Sequence, residues 1–364
     1  MLYDIGGRAC HGLEHGGLRI GFDSKMKSKK VWTIGILAGL VGAIVVAFLL
    51  RHPATQDLEL LELLPPDLDI YVVADLQSLG TNPIIQKLLS NPPGFARDEE
   101  YERFIQATGF RYEQDLKHLV LAKSGPDWVG AARATVDRPR IIRYMESQGG
   151  EKKDERGKTV FTFGRSRRFR LVFLDDGSAD TLVAFTVGGD DTRIRQAVER
   201  RLGRLKESAA AEIKRARHLT HIPPGSKIWL VGRPERLWGP EGATPQVGPL
   251  GLSRNFFKGS QTLYVSIESG PAQLSVRVED YCDTPASAQR IAGSVQGILA
   301  LLKALPLGNV MGPGKAAPRD QSKAANTNTK SLLAGVSVEQ DQQSVFLRWQ
   351  LDNNALSFLE AASR

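Results

Sequence analysis

His218 and His221 stand three residues apart near the end of a helical stretch, where they could share one ligand. Metal sites need three or four ligands, and no third lies close in sequence. Basic side chains near a helix C-terminus are also favoured by the helix dipole. Asp175, Asp176, Asp190 and Asp191 invite a calcium or carboxylate-pair reading. Their contexts, Asp-Asp-Gly and Asp-Asp-Thr, instead predict a hairpin turn and a helix cap. Cys10, His11 and His15 resemble a metal cluster but lie in a Gly-rich stretch without periodicity. Gly251-Leu252-Ser253-Arg254-Asn255 fails the hydrolase elbow at its last position. The glycines of 308–315 have the wrong spacing for a phosphate loop, and Ala316 stands where a Mg²⁺-binding hydroxyl should be. No HExxH occurs. These residues assign no catalytic group, cofactor or metal.

The element that must position everything else is Val31–Leu50, twenty residues without a charge. About twenty apolar residues at 1.5 Å rise span a bilayer core of roughly 30 Å. Lys25, Lys27, Lys29 and Lys30 precede it, and Asp57, Glu59 and Glu62 follow. Cationic flanks stay inside, so the expected topology is N-terminus in the cytoplasm and the bulk outside a bacterial inner membrane, in the periplasm. No small-x-small cleavage site follows, which favours a retained anchor over a signal peptide. Met26 opens a compact basic start, and translation is expected to begin there, leaving 1–25 untranslated. Gly35, Gly39, Ala43 and Ala47 recur every fourth residue, a spacing that lets two membrane helices approach and would support a homodimer.

Hydrophobic content of 41% and charged content of 24% are ordinary for a globular chain. The net charge of +8 includes Arg165, Arg167, Arg168 and Arg170 and the run from Arg193 to Arg217. Outside the cytoplasm a basic surface suggests anionic lipid or an anionic envelope polymer rather than nucleic acid. Cys282 and Cys10 fall on opposite sides of the anchor and cannot pair, so the outer part relies on its core. Cys282, before Asp283-Thr284-Pro285, reads as a packing residue.

The outer part contains three matched blocks in the same order. Leu64-Pro65-Pro66-Asp67 and Ile222-Pro223-Pro224-Gly225 each feed an apolar run, expected as strands with Ile70, Val72, Ile228 and Leu230 turned into the core. Ser124-Gly125-Pro126 and Ser269-Gly270-Pro271 each punctuate a hairpin, followed by helices starting near Asp137 and Thr284. A strand pair and helix then follow, near Asp190 and near Asp352. The expected fold class is α+β: one N-terminal transmembrane helix, then a duplicated antiparallel-sheet-plus-helix module. The expected boundaries are a tail at 1–30, an anchor at 31–50 and a stalk at 51–63. The first repeat is placed at 64–205, a connector at 206–221 and the second repeat at 222–364, with a disordered loop at 306–330.

The Leu64-Pro65-Pro66-Asp67 opening, with an apolar strand after it and one anchor before it, resembles uncharacterised bacterial envelope proteins carrying a domain of unknown function. The likeness covers roughly residues 60–360 in pattern and implies no functional residue. The expectation is a single-pass, non-enzymatic envelope protein that binds or scaffolds an unknown envelope partner. The alternative is a ligand-binding or hydrolytic domain with its site between the repeats.

Overall fold

A computed structural model describes residues 58–80, 82, 85, 99–164, 168–175, 180–189, 191–237, 254–270, 273–304, 333 and 335–352. Twelve strands form one antiparallel sheet in the order β11-β12-β10-β9-β8-β1-β2-β3-β7-β6-β5-β4. The strands are β1 (Ile70–Asp75), β2 (Leu116–Ser124), β3 (Asp127–Ala134), β4 (Glu151–Glu155), β5 (Lys158–Phe163) and β6 (Phe169–Phe173). They continue as β7 (Thr181–Val187), β8 (Ile228–Gly232), β9 (Ser260–Ser269), β10 (Gln273–Cys282), β11 (Val336–Asp341) and β12 (Ser344–Asp352).

This corrects the expected fold class. The two halves are not separate α+β modules facing each other across a groove; they are continuous through one β1–β8 ladder. No helix among the described residues is long and apolar enough to cross a membrane, and Val31–Leu50, with Gly35, Gly39, Ala43 and Ala47, lies outside the described residues. The loop at 306–330 and the helix expected beyond Asp352 also lie outside them. Read outward from the central pair, one arm runs β1-β2-β3-β7-β6 and the other β8-β9-β10-β12-β11, with β5 and β4 added to the first.

Pro-Pro turns set up both central strands. Proline fixes φ, and the next residue reverses the chain in the left-handed region: Asp67 at φ 58° and Gly225 at φ 85°. The register across the seam is symmetric about Val72 opposite Leu230, with Ile70 opposite Gly232 and Ala74 opposite Ile228. Hairpins follow as expected from the turn residues. Ser124 pairs with Asp127 around Gly125, which has φ 55°.

One core cluster covers Tyr71, Val73, Trp229 and Val231 with Leu60, Leu61, Leu64, Ile194, Val198 and Ile213. The set expected to turn inward lies on the opposite face from this cluster. Ile70, Val72 and Ile228 are buried too, but on the opposite face, and Leu230 is half-buried. A strand covered on both faces carries apolar residues at every position, so alternation cannot mark its principal face. Leu60 and Leu61 sit in the helix Leu58–Leu61 and are part of this core rather than of a stalk. Helix Ala209–Arg215, in the expected connector, also packs into it through Ala209, Ala210 and Ile213.

Helix Arg138–Ser147 lies on the other face, with the Arg138 guanidinium 4.7 Å from the Phe173 ring centre. Asp137 caps it by accepting a hydrogen bond from the Arg140 N–H at 3.1 Å. Helix Pro285–Ala304 seats Ala288, Ile291 and Ala292 on Cys282 and Val345.

Trp229→Ala should destabilise the chain by about 3–5 kcal/mol, because a large side chain leaves a cavity in the principal core. Leu230→Ala, one residue along on the half-open face, should cost about 1 kcal/mol. Equal costs in urea unfolding would contradict the placement of the core.

Candidate functional site

The two histidines both pack against Tyr264 of β9. They form a 3-10 turn, His218–His221, entered through Arg217 at φ 55°. His218 Nδ1 lies 2.9 Å from the Tyr264 hydroxyl, and burial lowers its pKa. The His221 ring stacks on Tyr264 with centroids 4.4 Å apart and planes at 11°. Its Nδ1 is 2.8 Å from Glu279 Oε1.

Glu279 is the hub. The Ser344 hydroxyl donates to its Oε1 at 2.9 Å, and Arg277 donates to its Oε2 at 3.2 Å. The Arg277 guanidinium lies 4.8 Å from the Phe346 ring centre. A buried carboxylate needs such partners, because desolvating an unpaired charge is expensive. The node holds a serine, a histidine and a glutamate, yet both Ser344 and His221 are directed at the carboxylate. Nucleophilic catalysis needs the base on the nucleophile, with the acid behind the base. This arrangement ties the 3-10 turn to β9, β10 and β12 instead. Among the described residues no group of three or more His, Cys, Asp or Glu is placed to hold a metal ion.

A different recess gathers positive charge on the first arm. Lys153 of β4, Arg168, Arg170 of β6, Gly189, Asp191, Thr192 and Arg195 line a shallow recess, open to solvent, of about 490 Å³. Arg170 is 3% exposed at its side chain and forms the floor. Its Nε donates to Asp191 Oδ1 at 2.7 Å, and its terminal nitrogens donate to the Gly188 and Gly189 carbonyls at 2.8 and 3.0 Å. Lys153 donates to Asp191 Oδ2 at 3.1 Å. These bonds, first from Lys153 and then from Arg170, hold the Asp191 carboxyl below its usual pKa.

Asp191 stands at the N-cap of helix Thr192–Arg201 but makes no side-chain cap bond, contrary to the expected capping role. The ion pairs have taken its carboxylate. Asp175 accepts the Leu182 N–H of β7 at 2.9 Å, while the turn expected after it, at 176–179, lies outside the described residues. Asp176 and Asp190 lie outside the described residues, as do Cys10, His11, His15 and Gly251–Ser253. Arg170 was missed in sequence as a site residue, although it shares a strand face with Val172, a position where a charge needs a buried partner.

Cys282 is fully buried, and burial pushes its thiol up to about 12, so it packs as a neutral hydrophobe. Its neighbour in the strand, Asp280, is more unusual. The Ser260 hydroxyl donates to Asp280 Oδ1, and Oδ2 is buried with no hydrogen-bond partner. Burial raises its pKa to about 6. A folded-state pKa above the unfolded value means that the folded state holds the proton more tightly. The stabilisation is complete below about pH 4 and is lost as pH rises through about 6. Asp280→Asn keeps an acceptor for Ser260 and removes the charge. Urea unfolding of the variant should lose that part of the pH dependence and show a gain at pH 7 of up to about 3 kcal/mol. A variant that follows the parent's pH profile would contradict this account.

No family model matches the chain, and no curated protein does. Solved structures of TP0453 are similar in outline at 7% identity. Crystal form I has a TM-score of 0.40 and covers 83% of this chain and 96% of that one. Form III has a TM-score of 0.45 over 83% and 98%, and form IV 0.42 over 84% and 96%. A likeness this loose carries no argument about what this chain does.

Proposed function

We propose that this chain is a non-enzymatic binding component of a bacterial cell envelope, held at the inner membrane through residues 31–50 with the sheet on the periplasmic side. The observation that carries this reading is the uncharged run Val31–Leu50 behind four lysines, followed from Leu58 by a folded sheet with its own core. Lysines retained inside orient such a segment and leave the sheet outside. Close approach of two anchors along Gly35, Gly39, Ala43 and Ala47 would make the component a dimer.

A site between the two halves is the less favoured reading. The halves meet through backbone ladders, and the side chains along that seam are apolar and mostly buried.

Topology reporters test the placement. Alkaline phosphatase fused after His52 or at Arg364 should be active, because it folds only outside the cytoplasm. An inactive C-terminal fusion, paired with an active cytoplasmic reporter at the same point, would overturn the reading.

A further inference from the structure

We propose that the recess between β4, β6 and helix Thr192–Arg201 binds a phosphate-bearing anion, either free phosphate or the headgroup of an anionic phospholipid. The inference deepens the envelope-binding reading by naming a ligand class, and it rests on that reading only for the choice of lipid as a source.

Charge carries the argument. Four cations, Lys153, Arg168, Arg170 and Arg195, line the recess against one lining carboxylate, Asp191, with the Asp127 carboxylate packed behind Gly189. The Asp191 carboxylate is already engaged by Arg170 and Lys153. Glu155 lies 2.6 Å from Lys153 and offsets part of its charge. Arg168 and Arg195 are the two whose guanidinium groups make no ion pair among the described residues. The Arg195 guanidinium makes a long contact, 3.4 Å, to the Thr192 hydroxyl, and the Arg168 guanidinium has no ion-pair partner among the described residues; their backbones pair with Asp191 and Gly188. Like charges gathered on fixed elements repel one another, and an anion between them relieves that cost.

Geometry adds selectivity. Arg170 cannot swing out, because its fork is fixed to two carbonyls and a carboxylate. It supplies a rigid positive floor, while Arg168 and Arg195 can close over a ligand from the rim. Guanidinium forks match the oxygen spacing of phosphate and can bond it through two parallel N–H groups. Thr192 adds a hydroxyl at the edge. A recess of about 490 Å³ has room for a phosphate ester and part of what it carries.

The test uses the purified full chain in a non-ionic detergent. Inorganic phosphate and soluble dihexanoyl-phosphatidylglycerol are titrated separately by calorimetry, into the parent and into the double variant Arg168→Glu/Arg195→Glu. Saturable binding of either probe, weakened about tenfold or more in the variant, is the expected result. Binding of both probes identifies free phosphate as sufficient; binding of phosphatidylglycerol alone identifies the headgroup. Arg168→Gln/Arg195→Gln replaces the charge reversal if the first variant fails to fold, judged by its melting transition. No saturable binding of either probe, or equal binding by parent and folded variant, overturns the proposal. The result does not depend on which compartment holds the sheet, so it fails independently of the topology reporters.

Discussion

The β1–β8 ladder is the constraint on which the rest of the molecule depends. It joins two arms that would otherwise each end in an open edge, and it does so with strands covered on both faces. Trp229 and Val73 stand opposite each other on one side of the seam, and Ile228 and Ala74 on the other. Main-chain pairing in so dry a place leaves little freedom to slide, because a one-residue slip would exchange the two faces. The Pro-Pro turns feed this ladder from both ends. Asp67 is held by its N–H bond to Glu212 at 2.6 Å, and the same carboxylate oxygen accepts from the Tyr71 hydroxyl at 2.6 Å. Burial and that bond push the Tyr71 pKa up, so the phenol remains a donor.

From that centre the arms diverge in character. The first arm is capped by aliphatic helices and ends in a charged hairpin. The second carries, on the face of Tyr264, a polar network of Glu279, His221, Arg277 and Ser344 where the first arm has a hydrocarbon core. The same order of strands thus supports two surfaces: one closed by its own hydrogen bonds, the other leaving guanidinium groups at a rim. Asp191 shows how such a surface arises. It occupies a helix-cap position, yet it is pulled toward Arg170 and Lys153, which converts a local stop signal into the anchoring point of a cationic recess.

Local chemistry made much of the fold legible. Proline pairs announced β1 and β8, Gly125 announced a turn, and Asp137 and Pro285 announced helix starts. Signals that depend on distant partners were not legible. Ile70 to Val73 are apolar at every step, so nothing in their order says which side meets Leu60 and which meets the other face. The pairing of β1 with β8 joins segments from the two halves of the chain and leaves no local trace. β4 was overlooked because Glu151 to Glu155 alternate nothing but charges, as suits an edge strand wet on both sides. Its turn, Arg156 at φ 60° and Gly157 at φ 81°, was the better clue. Likewise the His221–Glu279 contact joins residues far apart in the chain, and a histidine pair read in isolation gives no sign of the buried glutamate.

The order in which the chain emerges from the ribosome gives the central seam a kinetic meaning. β1 is among the first folded segments to be made, and its neighbour β2 follows soon after, but β8 arrives only once the whole first arm has been synthesised. Until then one side of Ile70–Asp75 is an open row of amide and carbonyl groups flanked by hydrocarbon, the kind of template on which chains stick to one another. Non-local pairing of this sort is slow to form. A nascent chain therefore passes through an interval in which its most buried strand is its most adhesive one. The second arm ends that vulnerability in addition to enlarging the sheet.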